Sequence, residues 1–248
     1  MPSRTHILLT ESLIAIEPSK MDHYGIFVVI PSYNEAEVVG HTVAELERYP
    51  FTIVVVDDGS RDATRECLSN TSVRYLRHCT NLGAGAATQT GTEYALAQGA
   101  QYIVHFDADG QHDAAQIYRL IEPIRSGEAE VVLGSRFLSD NDRKLVPFGK
   151  RLLLKGGVIV SWIFSGLWLT DTHVGFRALS RAAAQKIKLT QDGYAHCTEI
   201  LELIRKAKLR CREVPVTVRY SEYSRKKGQK PLNSVNIVAD LILRKLYR

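Results

Sequence analysis

The 248-residue chain is 45% apolar and 24% charged, an ordinary soluble composition that can bury a sizeable core, so one domain or one domain plus a small appendage is expected. Its formal net charge of +5 suits an anionic partner (nucleic acid, a phosphorylated substrate or an anionic membrane surface) without choosing among them. Cys67, Cys79, Cys197 and Cys211 are scattered, with no CxxC pair and no His at zinc spacing, which excludes a metal framework or a disulfide scaffold and points to a reducing compartment.

The first twenty residues carry only a short apolar stretch interrupted by Glu11 and Glu17, which does not read as a signal peptide, and a cytoplasmic chain is expected. From Ile26 onward, short β-branched runs alternate with longer amphipathic segments. Strands are predicted at Ile26–Ile30, Thr52–Val56, Val73–Leu76, Tyr102–Phe106 and Glu130–Leu133, with helices between them at Glu35–Arg48, Arg61–Ser69, Ala84–Ala97 and Ala114–Arg125. Such alternation predicts an α/β fold with a mostly parallel central sheet and helices on both faces.

After Phe137 the chain changes character. SDNDRKLVPFGKR reads as an exposed loop, and LLLKGGVIVSWIFSGLWL is broken by Lys155 and three glycines, so a buried or interfacial helix is preferred over a membrane span. A strand is expected over Cys211–Tyr220, then a basic loop and a C-terminal amphipathic helix. The predicted organisation is an extension over 1–24, a main domain over 25–220 and a basic loop with a helix over 221–248. Residues Met1–Lys20 are expected to be dispensable, with Met21 as an alternative start.

Ligands of open parallel sheets bind beyond the carboxyl ends of the strands, and here five successive strand ends carry polar motifs: PSYNEAE, DDGSRDAT, NLGAG, DADGQH and GSRF. In the fourth, Asp107 and Asp109 share a parity, so an extended chain would aim both at one face. Paired carboxylates repel unless a cation or proton lies between them, and a hard cation such as magnesium or manganese fits, with Gln111 as a further oxygen donor. An EF-hand starting at Asp107 would need Gly at its sixth position and Glu at its twelfth, where this chain has His112 and Tyr118. A DxDG nucleophile reading of Asp107 suits the local string and leaves the other four strand ends unexplained. Asp57 and Asp58 suit hydrogen bonding to a base or ribose, or helix capping; the glycines of NLGAG suit helix packing as well as ligand approach.

The ordered set PSYNE, VVVDDGSRDAT, NLGAG, DADGQHD, GSRF and DTHVGFRALSR resembles the family-2 glycosyltransferases of GT-A fold. Within them it looks most like the branch of dolichyl-phosphate mannose synthase and the polyprenyl-phosphate sugar synthases. The resemblance implies an inverting hexosyl transfer from a nucleotide sugar. It implies Pro31, Tyr33, Asn34 and Glu35 at the nucleotide, Asp57 or Asp58 at the base or ribose, and Asp107, Asp109 and Gln111 at a Mg2+ or Mn2+ ion on the diphosphate. It further implies an acceptor-phosphate site of Arg136 with Lys150, Arg151, Arg225, Lys226, Lys227 and Lys230, so that Asp109 and Arg136 are the expected catalytic pair.

The expected partners are a nucleotide-sugar donor and a polyprenyl phosphate, with no nucleic acid. A peripheral contact with the inner face of a membrane, or a membrane-protein partner, is expected from Trp162, Phe164, Trp168 and the final basic helix. A phosphate acceptor is already largely ionised at neutral pH and needs no general base, which agrees with the absence of a QxxRW-type motif and gives Asp171 a positioning role. A hydroxyl acceptor would instead require a base, and Asp171 is the residue for it. The remaining rival, a catalytically silent membrane-associated binding subunit, is argued against by the intact Asp107/Asp109 pair. His173 and His196 read as structural, and Glu199 as lining the sugar pocket.

Overall fold

The computed structural model describes residues 25–139, 158, 162, 166–171, 174–193 and 195–219. The N-terminal extension, Lys150, Arg151, Phe164, His173, the basic loop with Arg225, Lys226, Lys227 and Lys230, and the final helix lie outside the described residues.

The described chain builds β1 (Ile26–Ser32), α1 (Val39–Leu46), β2 (Thr52–Asp57), α2 (Thr64–Cys67), β3 (Arg74–Arg77), α3 (Ala84–Ala97) and β4 (Tyr102–His105). It continues through a 3-10 turn (Ala114–Gln116), α4 (Ile117–Arg125), β5 (Val131–Ser135), β6 (Arg177–Ser180), α5 (Arg181–Lys186), α6 (His196–Lys206) and β7 (Cys211–Pro215). These strands form one seven-stranded sheet in the order β3-β2-β1-β4-β6-β5-β7. Neighbours run parallel except at β6, which is antiparallel to both β4 and β5.

The two-residue period of a strand sorts the apolar runs onto two faces. Ile26, Val28 and Ile30 of β1 join Val39, Val43, Ile117, Leu120 and Ile121 of α1 and α4 on one side. Phe27 and Val29 join Ala87, Ala95, Ala183, Ile200 and Ile204 of α3, α5 and α6 on the other. A strand covered on both faces needs apolar residues at every position, which is why β1 reads as a continuous run rather than an alternation.

The expected strands and helices recur, with α1 and α2 shorter than expected, β1, β2 and β5 running further at their C-terminal ends and α3 as expected, and two elements are new. Arg177–Ser180 had been read only as part of a motif, yet it is the strand that joins the two halves of the sheet, with Tyr102 opposite Ser180 and Val131 opposite Leu179. The short helix α5 follows it at once, capped by the Ser180 hydroxyl accepting from Ala183 N–H. The region after Phe137 thus supplies two strands of the sheet, β6 and β7. Among the described residues no helix is long and apolar enough to cross a membrane.

Candidate active site

The polar strand ends converge along one edge of the sheet. β1 leads into Tyr33, Asn34 and Glu35, and the loop is clasped to the DDGSRDAT segment: Asn34 N–H donates to Ser60 Oγ (2.9 Å), Glu35 N–H to Thr64 Oγ1 (3.0 Å) and Arg61 N–H to Asn34 Oδ1 (2.9 Å). Asn34 adopts φ 53°, a left-handed conformation that asparagine tolerates better than most residues, and Tyr33 is exposed beside it. Pro31 sits within β1 opposite Val56.

Asp57 and Asp58 are both buried, and their carboxylates are engaged by the protein. Asp57 accepts from Ser60 N–H (2.8 Å), Tyr75 Oη (2.5 Å) and Arg77 Nη1 (2.9 Å). Burial alone would raise its pKa, but these hydrogen bonds and the Arg77 charge outweigh it and hold the carboxyl below its usual range. Asp58 meets His78 Nδ1 at 2.7 Å and accepts from Leu82 N–H (2.9 Å) and Gly83 N–H (2.7 Å), pinning the NLGAG turn. The glycines of that turn admit a neighbouring loop: Gly85 N–H donates to the Asp192 carbonyl at 2.7 Å, and a side chain at Gly85 would collide with the Gln191 carbonyl. Glu199 binds this same loop through Thr190 N–H and Oγ1 and Gln191 N–H, so its carboxylate orders the loop.

β4 ends at His105, before the acidic motif, so the geometry of Asp107 and Asp109 comes from a turn and not from strand parity. Gly110 takes φ 70°, and Asp109 Oδ1 accepts Gln111 N–H at 3.1 Å. Asp107 is 44% exposed and meets His112 Nε2 at 3.0 Å; the His112 ring is buried between Phe106 and Phe176. Partial burial raises the Asp107 pKa, and the His112 contact with the charges of Arg177 and His196 reverses it, leaving the carboxyl below its usual range. Asp109 moves the other way, pushed up to about 6 by burial and then by the charge of Asp107.

Acids displaced in opposite directions are what two carboxylates sharing one site show when no cation offsets them. Among the described residues no group of three or more His, Cys, Asp or Glu side chains is gathered as a closed metal cage. Two carboxylates in an open turn instead fit a magnesium-like ion that completes its shell with water and substrate phosphate.

The turn is held from below by the segment after β7. Arg219 N–H donates to the Gln111 carbonyl at 2.8 Å, Arg219 Nη2 to Asp113 Oδ2 at 2.8 Å, and Thr217 N–H to Gln116 Oε1 at 3.1 Å. It is held from the side by Gly175, whose missing side chain makes room for the Asp107 carboxylate. Neither contact was anticipated, although the Gly of VGFR lay inside a motif already singled out.

Arg136, directly after β5, is 6% exposed, and its guanidinium grips Asp171 through Nε–Oδ2 (2.7 Å) and Nη2–Oδ1 (2.8 Å), while Arg136 N–H also donates to Oδ2 (3.2 Å). Asp171 in turn is held by Glu213, which accepts Asp171 N–H at 3.1 Å. His196 Nδ1 lies 2.8 Å from the Gly193 carbonyl, a structural contact. Close by, Cys197 Sγ lies 3.6 Å from His196 Nε2 and 3.9 Å from Arg177 Nη2.

The model of glycosyl transferase family 2 matches residues 27–188, the span from β1 through α5 to the residues just beyond it. The chain belongs to glycosyltransferase family 2. Relatives match over most of the chain. A UDP-N-acetylglucosamine–dolichyl-phosphate N-acetylglucosaminyltransferase of Methanococcus voltae is 32% identical over 89% of this chain and 96% of its own. An undecaprenyl-phosphate mannosyltransferase of Micrococcus luteus is 31% identical over 77% of this chain and 82% of its own. Among solved structures, glucosyl-3-phosphoglycerate synthase of Mycobacterium tuberculosis, in complex with Mn2+, UDP and glucosyl-3-phosphoglycerate, superimposes with a TM-score of 0.65. It covers 88% of this chain and 77% of its own at 17% identity, a likeness of fold.

Proposed function

We propose that this family-2 glycosyltransferase moves a sugar, with inversion, from a nucleoside-diphosphate sugar to the phosphate of a polyprenyl phosphate. One observation carries the acceptor assignment. Asp171, the carboxylate otherwise suited to be a general base, has both oxygens engaged by Arg136, which makes it an anchor. A cleft whose acid is so employed suits an acceptor that arrives already ionised, as a phosphate with a second pKa of about 6 does. The names of the relatives from Methanococcus voltae and Micrococcus luteus support the same acceptor class.

In this reading a phosphate oxygen of the acceptor attacks the anomeric carbon, the bond to the donor diphosphate breaks, and the nucleoside diphosphate leaves. Arg136 binds and orients the acceptor phosphate through the paired hydrogen bonds a guanidinium offers. The PSYNE and DDGS loops, clasped together by Asn34, Ser60 and Thr64, form the nucleotide wall, with Tyr33 exposed on it. Asp57 and Asp58 shape that wall through Tyr75, Arg77 and His78. Asp107 and Asp109, with Gln111 next to them, hold a Mg2+ or Mn2+ ion, which when bound offsets charge on the leaving diphosphate. The exposed indoles of Trp162 and Trp168, edge to face at 5.4 Å, suit a peripheral contact with the membrane that carries the acceptor.

The test is a screen of nucleotide sugars with the purified chain, with and without a short-chain polyprenyl phosphate. Lipid-dependent release of nucleoside diphosphate is expected. Efficient glycosylation of a neutral sugar hydroxyl, with the lipid phosphate ignored, would transfer the assignment to a hydroxyl acceptor and return Asp171 to the role of base.

A further inference from the structure

Glu213 lies on β7, beside β5 and opposite Leu133 in register. Its carboxylate spends itself on one two-residue step of the facing loop: Thr170 N–H donates to both oxygens (3.0 and 2.9 Å), Thr170 Oγ1 to Oε1 (2.9 Å) and Asp171 N–H to Oε1 (3.1 Å). Burial pushes this acid up, and the charge of Asp171 adds to the push, while the hydrogen bonds from Thr170 and Asp171 act against it. A side chain needed only for packing would be apolar, because withdrawing a carboxylate from water costs stability unless its hydrogen bonds do something specific.

What they fix is the approach to Arg136 from both sides. Asp171, located by its own N–H on Glu213, presents its carboxylate to the Arg136 guanidinium and main-chain N–H. Thr170 Oγ1, held on the same Glu213 oxygen, lies 2.6 Å from Ser135 Oγ, and Ser135 Oγ accepts Phe137 N–H at 3.2 Å. The residues before and after Arg136 are therefore tied to the step that Glu213 secures. An arginine side chain is long, and ordering it at the moment of phosphate binding would cost affinity; a guanidinium aimed beforehand carries that cost in folding.

We propose that Glu213 is a positioning residue for the transfer: by fixing the Thr170–Asp171 step it aims the Arg136 guanidinium at the acceptor phosphate, and it governs acceptor affinity through Asp171. This rests on the acceptor role given to Arg136 above. No other Glu or Asp reaches both main-chain N–H groups of that step among the described hydrogen bonds.

Steady-state kinetics of the full chain, with a short-chain polyprenyl phosphate and the nucleotide sugar varied in turn, test it. Glu213→Ala is expected to raise the acceptor KM about tenfold, the equivalent of about 1.4 kcal/mol, with donor KM and kcat within about twofold. Glu213→Gln keeps one accepting oxygen and is expected to bring the acceptor KM back to within about threefold of the parent, in line with hydrogen-bond contributions. Thr170→Val removes one hydrogen bond of the same network and leaves Glu213 itself in place; it is expected to raise the same parameter by a smaller factor, and no rise would count against the proposal. In a double-mutant cycle, adding Glu213→Ala to Arg136→Ala is expected to change the acceptor KM no further. A full additive effect, or a parallel loss in donor KM and kcat, would overturn the inference. If Arg136→Ala raises the acceptor KM and Glu213→Ala does not, the inference alone fails. If Arg136→Ala leaves it unchanged, the acceptor reading fails and takes the inference with it.

Discussion

The carboxylate of Asp107 lies against the Cα of Gly175, so close that a methyl group there would meet Asp107 Cγ at 2.8 Å and its two oxygens closer still. The two residues come from different strand ends, Asp107 just past β4 and Gly175 just before β6, and the antiparallel pairing of those strands brings them together. The acidic turn is thereby backed by main chain.

Gly175→Ala is expected to displace the Asp107 side chain while the fold survives, because the far end of a side chain yields more readily than a strand. Transfer should fall by on the order of a hundredfold, as for a misaimed catalytic group, while the melting temperature changes little. Activity titrated against Mg2+ and Mn2+ checks this, with recovery at high metal expected.

Asp109→Asn separates stability from function. Asp109 stands at about 6 in the folded chain, against an unfolded value of about 3.9. An acid raised on folding lowers stability as pH rises from about 4 through about 6, since the folded state then holds the proton more tightly than the unfolded one. The metal-free variant should therefore melt at or above the parent at pH 7.5, and lose this advantage at pH 4. It should also lose the metal-induced rise in melting temperature and most of the transfer activity. Thermal melts in chelator and in Mg2+ or Mn2+ at both pH values decide it; full activity in excess chelator would remove the metal assignment.

Arg136→Ala is expected to raise the acceptor requirement, or lower transfer, by on the order of a hundredfold, as for a lost charged hydrogen bond of about 3 kcal/mol. Asp171→Asn should err in the same direction with a smaller factor, because it loosens the guanidinium without removing it. Donor affinity measured by calorimetry should remain near the parent value in both.

Cys197 offers a reading by pH. Burial raises its thiol, but the charge and hydrogen bond of His196 and the charge of Arg177 more than reverse this and bring it down to about 6, whereas burial holds the Cys211 thiol up at about 12. Iodoacetamide at pH 6.5, followed by peptide mass mapping, should modify Cys197 ahead of the exposed Cys67 and Cys79 and leave Cys211 untouched. Equal labelling of Cys197 and Cys211 would contradict the described surroundings.

Trp162 and Trp168 are the chain's two tryptophans, and they form the exposed pair. Intrinsic tryptophan emission therefore reports on the proposed membrane contact alone. Vesicles of phosphatidylcholine with phosphatidylglycerol are expected to shift it to the blue and to make it quenchable by brominated lipid. Unchanged emission would count against the contact.

Periodicity made the first half of the fold legible, because strands buried on both faces, such as Ile26–Ser32, write themselves as unbroken apolar runs. β6 was harder to see: Arg177–Ser180 is four residues long and carries a buried arginine, so composition concealed its central place. Within the site, residue types were legible and their bonding was not. Asp57 and Asp58 announced themselves as functional carboxylates, yet their partners Tyr75, Arg77 and His78 lie about twenty positions away and depend on the β2–β3 pairing. Glu213 and Gly175 gave little warning, since an isolated Glu in a strand and a lone Gly acquire meaning only through the neighbours the sheet assigns to them.

The placement of β6 between β4 and β5 also constrains how the molecule can be assembled. During synthesis β4 and β5 emerge well before the strand that must lie between them, so neither can adopt its final partner on that side. Until residue 180 has left the ribosome, the inner edge of β4 stays unpaired and Asp107 lacks its glycine backing. Any fragment that stops earlier would expose an apolar strand edge of the kind that recruits other chains. The acidic turn is therefore encoded early and completed late, and a nascent or truncated chain would be prone to aggregate before that turn gained its backing.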